Sequence, residues 1–239
     1  VHHILWILPD KACVQRTTAA PLASSLVSGR EYEFPRSLEA ELPQLLQQIV
    51  PSIPASRGDI WHIGLPLEYF SLVNLSLPQA AAENLDQAVK YSLMRHVPFD
   101  LSATYADYRV LSNEASLEVA AVVAQKEAVD PILDIFARAK LTVHSLFPSL
   151  ASWALAAGEG GYLLHGQQRT EVALNQGGRI PFQLWFHPFD SQGQDGLTNR
   201  GATLLDNIPE KPETLYVMGG EGAELEGLEP IWSSFQDVQ

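Results

Sequence analysis

Between Glu83 and Leu146 the chain has little freedom: helix, proline stop, two strands, a second helix and a third strand follow one another with almost no linker. Ala81, Leu85, Ala88, Val89 and Leu93 recur at the spacing that lines one side of a helix. That helix is predicted to stop at Val97, because Pro98 disfavours helical geometry in the residue before it and has no N–H to extend the ladder. After the Pro98-Phe99-Asp100 turn, Tyr105 to Leu111 and Leu117 to Ala124 read as strands joined by the polar turn Ser112 to Ser116. The second is continuously apolar after Glu118, which predicts a strand inside a sheet covered on both faces. A helix from Glu127 to Ala139 comes next, with Val129, Ile132, Leu133, Phe136 and Ala137 on its buried side, and then a strand from Leu141 to Leu146.

The remainder reads outward from this stretch. Ile4 to Leu8 and Ala12 to Arg16 form a strand pair about the turn Pro9-Asp10-Lys11, and a further strand is expected over Glu31 to Phe34. Leu38, Leu42, Leu45, Leu46 and Ile49 mark a helix capped by Ser37, in which Pro43 either belongs to the first turns or bends the rod. Asp59 to Leu65 and Phe70 to Leu77 are strands. Pro148 opens a helix that runs to Ala157, and Gly158 closes it. Gly158 to Gly161 is a natural break, which divides the chain into lobes at 1–158 and 159–239, with an inserted subdomain over about 78–146. The second lobe is predicted to hold a meander of three strands, 162–165, 170–174 and 179–186. A strand from Thr214 to Met218, the turn Gly219-Gly220 and a short helix from Ala223 to Leu228 complete it.

Charge and cysteine content limit what such a chain can do. Its 28 acidic residues against 15 basic ones give a net charge of −13, spread without a solid run. Nucleic acids and anionic lipids demand a basic footprint, so they are excluded as direct ligands, whereas a basic protein partner would be steered in. A single cysteine, Cys13, excludes an internal disulfide framework and a zinc ribbon, and suits a reducing compartment. No apolar run approaches the ~20 residues that cross a bilayer, so no membrane insertion is expected within the chain. Val1 to Leu8 has no basic n-region and meets Pro9-Asp10 too early for a signal peptide.

Catalytic patterns are missing. The seven histidines, His2, His3, His62, His96, His144, His165 and His187, lack the spacing of a metal helix and read as structural or surface residues. Ser24-Ser25 and Ser233-Ser234 stand outside any nucleophile elbow, Cys13 has no base in sequence reach, and the pairs Glu31/Glu33 and Glu224/Glu226 read as solvated. Tyr91, Arg95, Pro98 and Phe99 are different. Aromatic and arginine side chains beside a rigid proline turn suit a protein-contact patch, and they equally suit a helix end packed on its own sheet. Trp232 and Phe235 fit either a membrane surface or the core.

The order of these elements resembles a known family. The stretch VAAVVAQKEAVDPILDIFARAKLTVHSLFPS (residues 119–149), behind a helix and a Pro-Phe-Asp turn, is similar to PilM and GspL proteins of type IV pilus and type II secretion machines. YLLHGQQRTEVALNQGGRIPFQLWF (162–186) and TLYVMGGEGAELEGLEPIW (214–232) resemble the same family's second phosphate hairpin and its Gly-Gly turn. The resemblance implies an α/β, actin-like (ribonuclease H-like) fold of two lobes, with an inserted small subdomain and a reduced second lobe. It also implies vestigial nucleotide turns at Asp10, Gly166, Gly219 and Gly220. In nucleotide-binding relatives the first hairpin carries an Asp-x-Gly turn. Here Pro9-Asp10-Lys11 replaces the glycine and removes an amide, and His165 stands where the second turn's aspartate is expected. Only a short polar, Gly-containing stretch lies between His187 and Pro212, where full actin-like proteins place an adenine-covering subdomain.

By resemblance, then, the chain is expected to be a non-catalytic scaffold with no cofactor and no metal. It would recruit a GspE-like secretion or pilus ATPase through that enzyme's N-terminal domain and join inner-membrane platform proteins of the GspM/GspF or PilN kind, with a homodimer among the expected assemblies. Its expected place is the cytoplasmic side of the bacterial inner membrane, tethered by a membrane helix after Gln239. A PilM-like ATP-binding protein is the rival expectation.

Overall fold

The computed structural model describes residues 2–7, 11–17, 30–33, 42–53, 58–165, 170–186, 212, 215–218 and 230–232. β1 (His2–Ile7), β2 (Lys11–Thr17) and β3 (Arg30–Glu33) form an antiparallel run, and β4 (Ile60–Leu65) and β8 (Thr142–Pro148) extend it in parallel from β1, giving the order β3-β2-β1-β4-β8. Alternation along a strand separates two faces. Leu5 and Ile7 of β1 and Trp61, Ile63 and Leu65 of β4 share a core with Leu46 and Ile49 of helix α1 (Leu42–Ile49) and with Ile132, Ile135 and Phe136 of α3 (Lys126–Arg138). Pro43 is the second residue of α1, where its missing N–H has no helical acceptor to lose. Ser37 and Leu38 lie outside the described residues, as does Phe34.

The second sheet repeats this topology. β9 (Gly160–His165), β10 (Thr170–Gln176) and β11 (Arg179–Phe186) form an antiparallel meander, and β12 (Leu215–Met218) and β13 (Pro230–Trp232) continue from β9 in parallel, in the order β11-β10-β9-β12-β13. Each sheet is thus three antiparallel strands followed by two parallel ones on the same side. β13 had no sequence signal, and the segment expected to be a helix, Ala223 to Leu228, is outside the described residues. Between the sheets runs α4 (Ser149–Ala157), whose Leu150, Ala151 and Ala154 pack with Tyr162, Leu164, Ala173 and Ile180. Its end is held by the second sheet: Asn175 Nδ2 donates to the carbonyls of Ala154 at 2.9 Å and Gly158 at 2.6 Å, and Tyr162 Oη donates to Gly158 O at 2.7 Å. Gly158 has φ +112°, a backbone that a side chain would strain.

β5 (Ser71–Leu77), β6 (Thr104–Asn113) and β7 (Leu117–Gln125) make a third, antiparallel sheet in the order β5-β7-β6. The predicted helix over this sheet is two pieces, a 3-10 segment (Gln79–Asn84) and α2 (Leu85–Leu93), followed by turns. Val89, Leu93 and Val97 press on Leu75, Leu77, Leu117, Val119, Ala121 and Val123. β7 is central, but the expectation that both its faces are covered is corrected: Val119, Ala121 and Val123 are 1–3 % exposed, while Ala120 and Val122 between them are only half-buried. α2 covers one face of this sheet, and among the described residues the β10–β11 hairpin of the second sheet meets the other, where Ala120 and Val122 stay half-buried. The buried stripe of α3 is also corrected, since Ile135 is buried while Leu133 is half-buried and Ala137 exposed. Ile132, Ile135 and Phe136 pack into the core of the first sheet, so the stripe that is buried is set by that contact and differs from the one spacing alone suggested.

Candidate functional site

The turn after α2 presents most of the patch expected from sequence. Arg95 N–H donates to Ser92 O at 3.0 Å, and His96 and Val97 N–H groups donate to Leu93 O at 2.9 and 3.0 Å, so the helix winds down tightly before Pro98 stops it. Val97 is buried and Phe99 half-buried against the sheet, which anchors both ends of the turn. Tyr91 is 60 % exposed, and Arg95 and Pro98 are exposed beside it. Met94, 58 % exposed, joins them, and the sequence reading missed it because only spacing on the exposed side marked it. Three of the four expected residues therefore lie on the surface, and the fourth, Phe99, contributes to packing. A flexible thioether beside an aromatic ring and a guanidinium is an adaptable apolar surface with one cationic anchor. Asp100 then caps the next 3-10 turn (Leu101–Ala103), accepting from Ser102 N–H at 2.9 Å and Ser102 Oγ at 2.7 Å, which holds the Asp100 carboxyl below its ordinary range.

The opposite face of the small sheet meets the β10–β11 hairpin of the second sheet. Asn74 Nδ2 donates to Ile180 O at 3.0 Å, Arg109 Nη2 donates to Gly178 O at 2.8 Å, and Arg179 Nη1 lies 3.1 Å from Glu118 Oε2. Glu118 also accepts from Ser76 Oγ at 2.7 Å and Ser116 Oγ at 2.6 Å. These hydroxyls first, then the Arg179 charge, hold its carboxyl below the usual range. No sequence signal marked this contact, because its members are scattered single polar residues.

At the start of the first sheet, His2 Nδ1 and His62 Nε2 are hydrogen-bonded at 2.9 Å, and His62 Nδ1 is 2.7 Å from Ser145 Oγ. A bulge in β8 between Val143 and Ser145 leaves His144 edge-on to the His62 ring, with centroids 5.4 Å apart. Burial first, then His2 and His144, lower the pKa of His62. On the other face His3 Nε2 is 2.9 Å from Asp59 Oδ2 and its ring stacks on Trp61. Among the described residues no group of three or more His, Cys, Asp or Glu side chains is placed to hold a metal. Cys13 is buried in β2. A shallow groove of about 530 Å³ between α1 and α3 is lined by Val50, Pro51, Ile53, Ile135 and Leu141 with Arg138 at its rim, an apolar surface without converging catalytic groups. Asp10, Gly166, Gly219 and Gly220 lie outside the described residues, as do His187 and Phe235.

Two five-stranded sheets of equal order, joined by a buried helix and carrying an inserted three-stranded sheet, define an actin-like α/β protein. Solved structures share that fold. The chain is similar to the PilM–PilN type IV pilus biogenesis complex, at 18 % identity and TM-score 0.68 over 94 % of this chain and 82 % of that one. It is also similar to the cytoplasmic domain of EpsL, an inner-membrane component of the type II secretion system of Vibrio cholerae, at 14 % identity and TM-score 0.62 over 98 % and 90 %. A Bacteroides thetaiotaomicron protein of actin-like ATPase fold is similar at 11 % identity and TM-score 0.52 over 92 % and 82 %. No protein-family model matches the chain, and no curated protein does.

Proposed function

We propose that this chain is a non-catalytic scaffold of a type II secretion or type IV pilus assembly platform, the GspL-like reading, recruiting the secretion ATPase to the inner membrane. The observation that carries the reading is its fold likeness over nearly the whole chain to the EpsL cytoplasmic domain and to PilM. The exposed Tyr91, Met94, Arg95 and Pro98 supply a contact surface on the inserted sheet, in keeping with a role in assembly. PilN-like, GspM-like and GspF-like proteins are the expected membrane-side partners, and the N-terminal domain of a GspE-like ATPase the cytoplasmic one. An acidic chain at −13 draws in a basic partner domain, and that attraction weakens with salt. No helix among the described residues is long and apolar enough to cross a membrane, so on this reading the membrane link comes from elsewhere.

The alternative is a PilM-like ATP-binding protein, favoured by the higher TM-score to the PilM complex, 0.68 against 0.62. A thermal shift with Mg-ATP separates them. The scaffold shows no shift, whereas ligand at a hundred times its Kd stabilises a binding-competent fold by about 2.7 kcal/mol. Calorimetry with the ATPase N-terminal domain tests recruitment; absence of heat at low salt would remove that role.

A further inference from the structure

The outer edge of the small sheet is open. Among the described residues β6 pairs only with β7, whereas β5, the other edge, lies against β11 of the second sheet. Tyr105 and Val110 on β6 are 44 % and 43 % exposed, and Asp107 and Arg109 are exposed between them. Tyr108 N–H donates to Asp107 Oδ1 at 2.8 Å, a side-chain acceptor in place of a neighbouring strand's carbonyl. A long edge strand with unpaired main-chain groups is a template for another strand.

We propose that β6 pairs antiparallel with β6 of a second copy of this chain, about a twofold axis through Tyr108, so that Asp107 of each copy faces Arg109 of the other. A twofold axis normal to the sheet keeps every side chain on its own face, so residues pair at equal offsets from a central one. Centred on Asp107, the pairing sets two carboxylates opposite each other; centred on Arg109, two guanidiniums. Centred on Tyr108, it forms two Asp107–Arg109 pairs, sets the two Tyr108 rings side by side and opposes Ala106 to Val110. Directly opposed unlike charges stabilise a strand pair and like charges oppose it, so this central register is the charge-matched one. Arg109 keeps donors for a carboxylate while Nη2 holds Gly178 O, because a guanidinium carries five N–H groups. The bulge between Val110 and Ser112 ends the regular stretch and limits the pairing to a few residues on either side of the axis. So small an interface gives a weak dimer that depends on concentration.

Sedimentation velocity of the full chain over a concentration series at low salt should show a reversible dimer. Asp107→Arg and Arg109→Asp, each of which sets like charges opposite each other twice, should weaken it by about tenfold or more. An equimolar mixture of the two variants should regain it, because the new arginine of one then faces the new aspartate of the other. Asp107→Arg leaves the Arg109–Gly178 bond in place, so its result stands even if Arg109→Asp loosens the fold, which a thermal melt reports. A chain that is monomeric at every concentration, a dimer weakened by neither substitution, or folded variants that fail to recover on mixing would each overturn the proposal.

Discussion

Arg179 in the second sheet reaches Glu118 in the inserted sheet at 3.1 Å, and the carboxylate it meets is already held by the hydroxyls of Ser76 and Ser116. One ion pair on a partly exposed surface is worth little alone. Here it acts with the Asn74–Ile180 and Arg109–Gly178 bonds, so three polar contacts join two sheets that share no strand.

The Glu118 carboxyl lies below its ordinary range in the folded chain. Its contribution to stability is therefore complete above the unfolded value near 4.5 and is lost as pH falls through the lower folded value. Glu118→Gln should lower the neutral-pH Tm slightly, because it removes that contribution, and should reduce the further loss of Tm on acidification below about pH 4.5. Thermal melts from pH 3 to 7 check this; an unaltered acid limb would contradict it.

His62 also loses stability on acidification, in a higher pH window and for a different reason. Its pKa is lowered from 6.5 by burial and by His2 and His144, so the unfolded chain takes up a proton before the folded one. Stability from neutral His62 is present above pH 6.5 and declines as pH falls from there toward the folded value. His62→Gln should flatten the Tm profile in that window, measured against the parent chain in the same buffers.

Gly64 has no room for a side chain. A Cβ there would lie 2.6 Å from Ser149 Oγ, 2.9 Å from Phe147 Cε2 and 3.1 Å from Trp6 Cε3, which places β1, β8 and α4 against the same backbone. Gly64→Ala should lower unfolding free energy by about 1–3 kcal/mol, as overpacking does. Denaturant unfolding measures it, with Gly64→Ala in Ser149→Ala showing a smaller loss.

Tyr91 and Phe99 separate binding from folding. Tyr91→Ala, together with Arg95→Ala, should leave stability within about 0.5 kcal/mol yet weaken partner binding by about 1 kcal/mol or more, roughly fivefold. Phe99→Ala, on the packed side of the same turn, should lower Tm. Paired melts and calorimetry with the ATPase N-terminal domain decide; Tyr91→Ala destabilising as much as Phe99→Ala would place the patch in the core.

Much of the architecture was written in local spacing. β5 to β8, α3 and α4 all lie within a few residues of their expected positions, because proline stops, glycine closures and apolar periods act over a handful of neighbours. The failures share one cause. β7 looked covered on both faces because its apolar run is continuous, but how many layers stack on a strand depends on elements distant in the chain. The buried side of α3 differed because the strands and helix it packs against, distant in the chain, set which side is covered. Of the contact patch, Tyr91, Arg95 and Pro98 were legible as exposed types beside a proline, whereas Met94 was marked only by spacing on the exposed side and the Glu118–Arg179 contact carried no pattern.

The sequence by itself determined where elements start and stop, that the chain buries a core, and that its charge favours basic partners, since these depend on composition and near-neighbour geometry. Only the tertiary structure decided that two sheets repeat one topology, that His2 and His62 are hydrogen-bonded, and that β6, among the described residues, pairs with β7 alone. Those facts depend on which distant strands become neighbours, and that is settled by the joint packing of the whole chain.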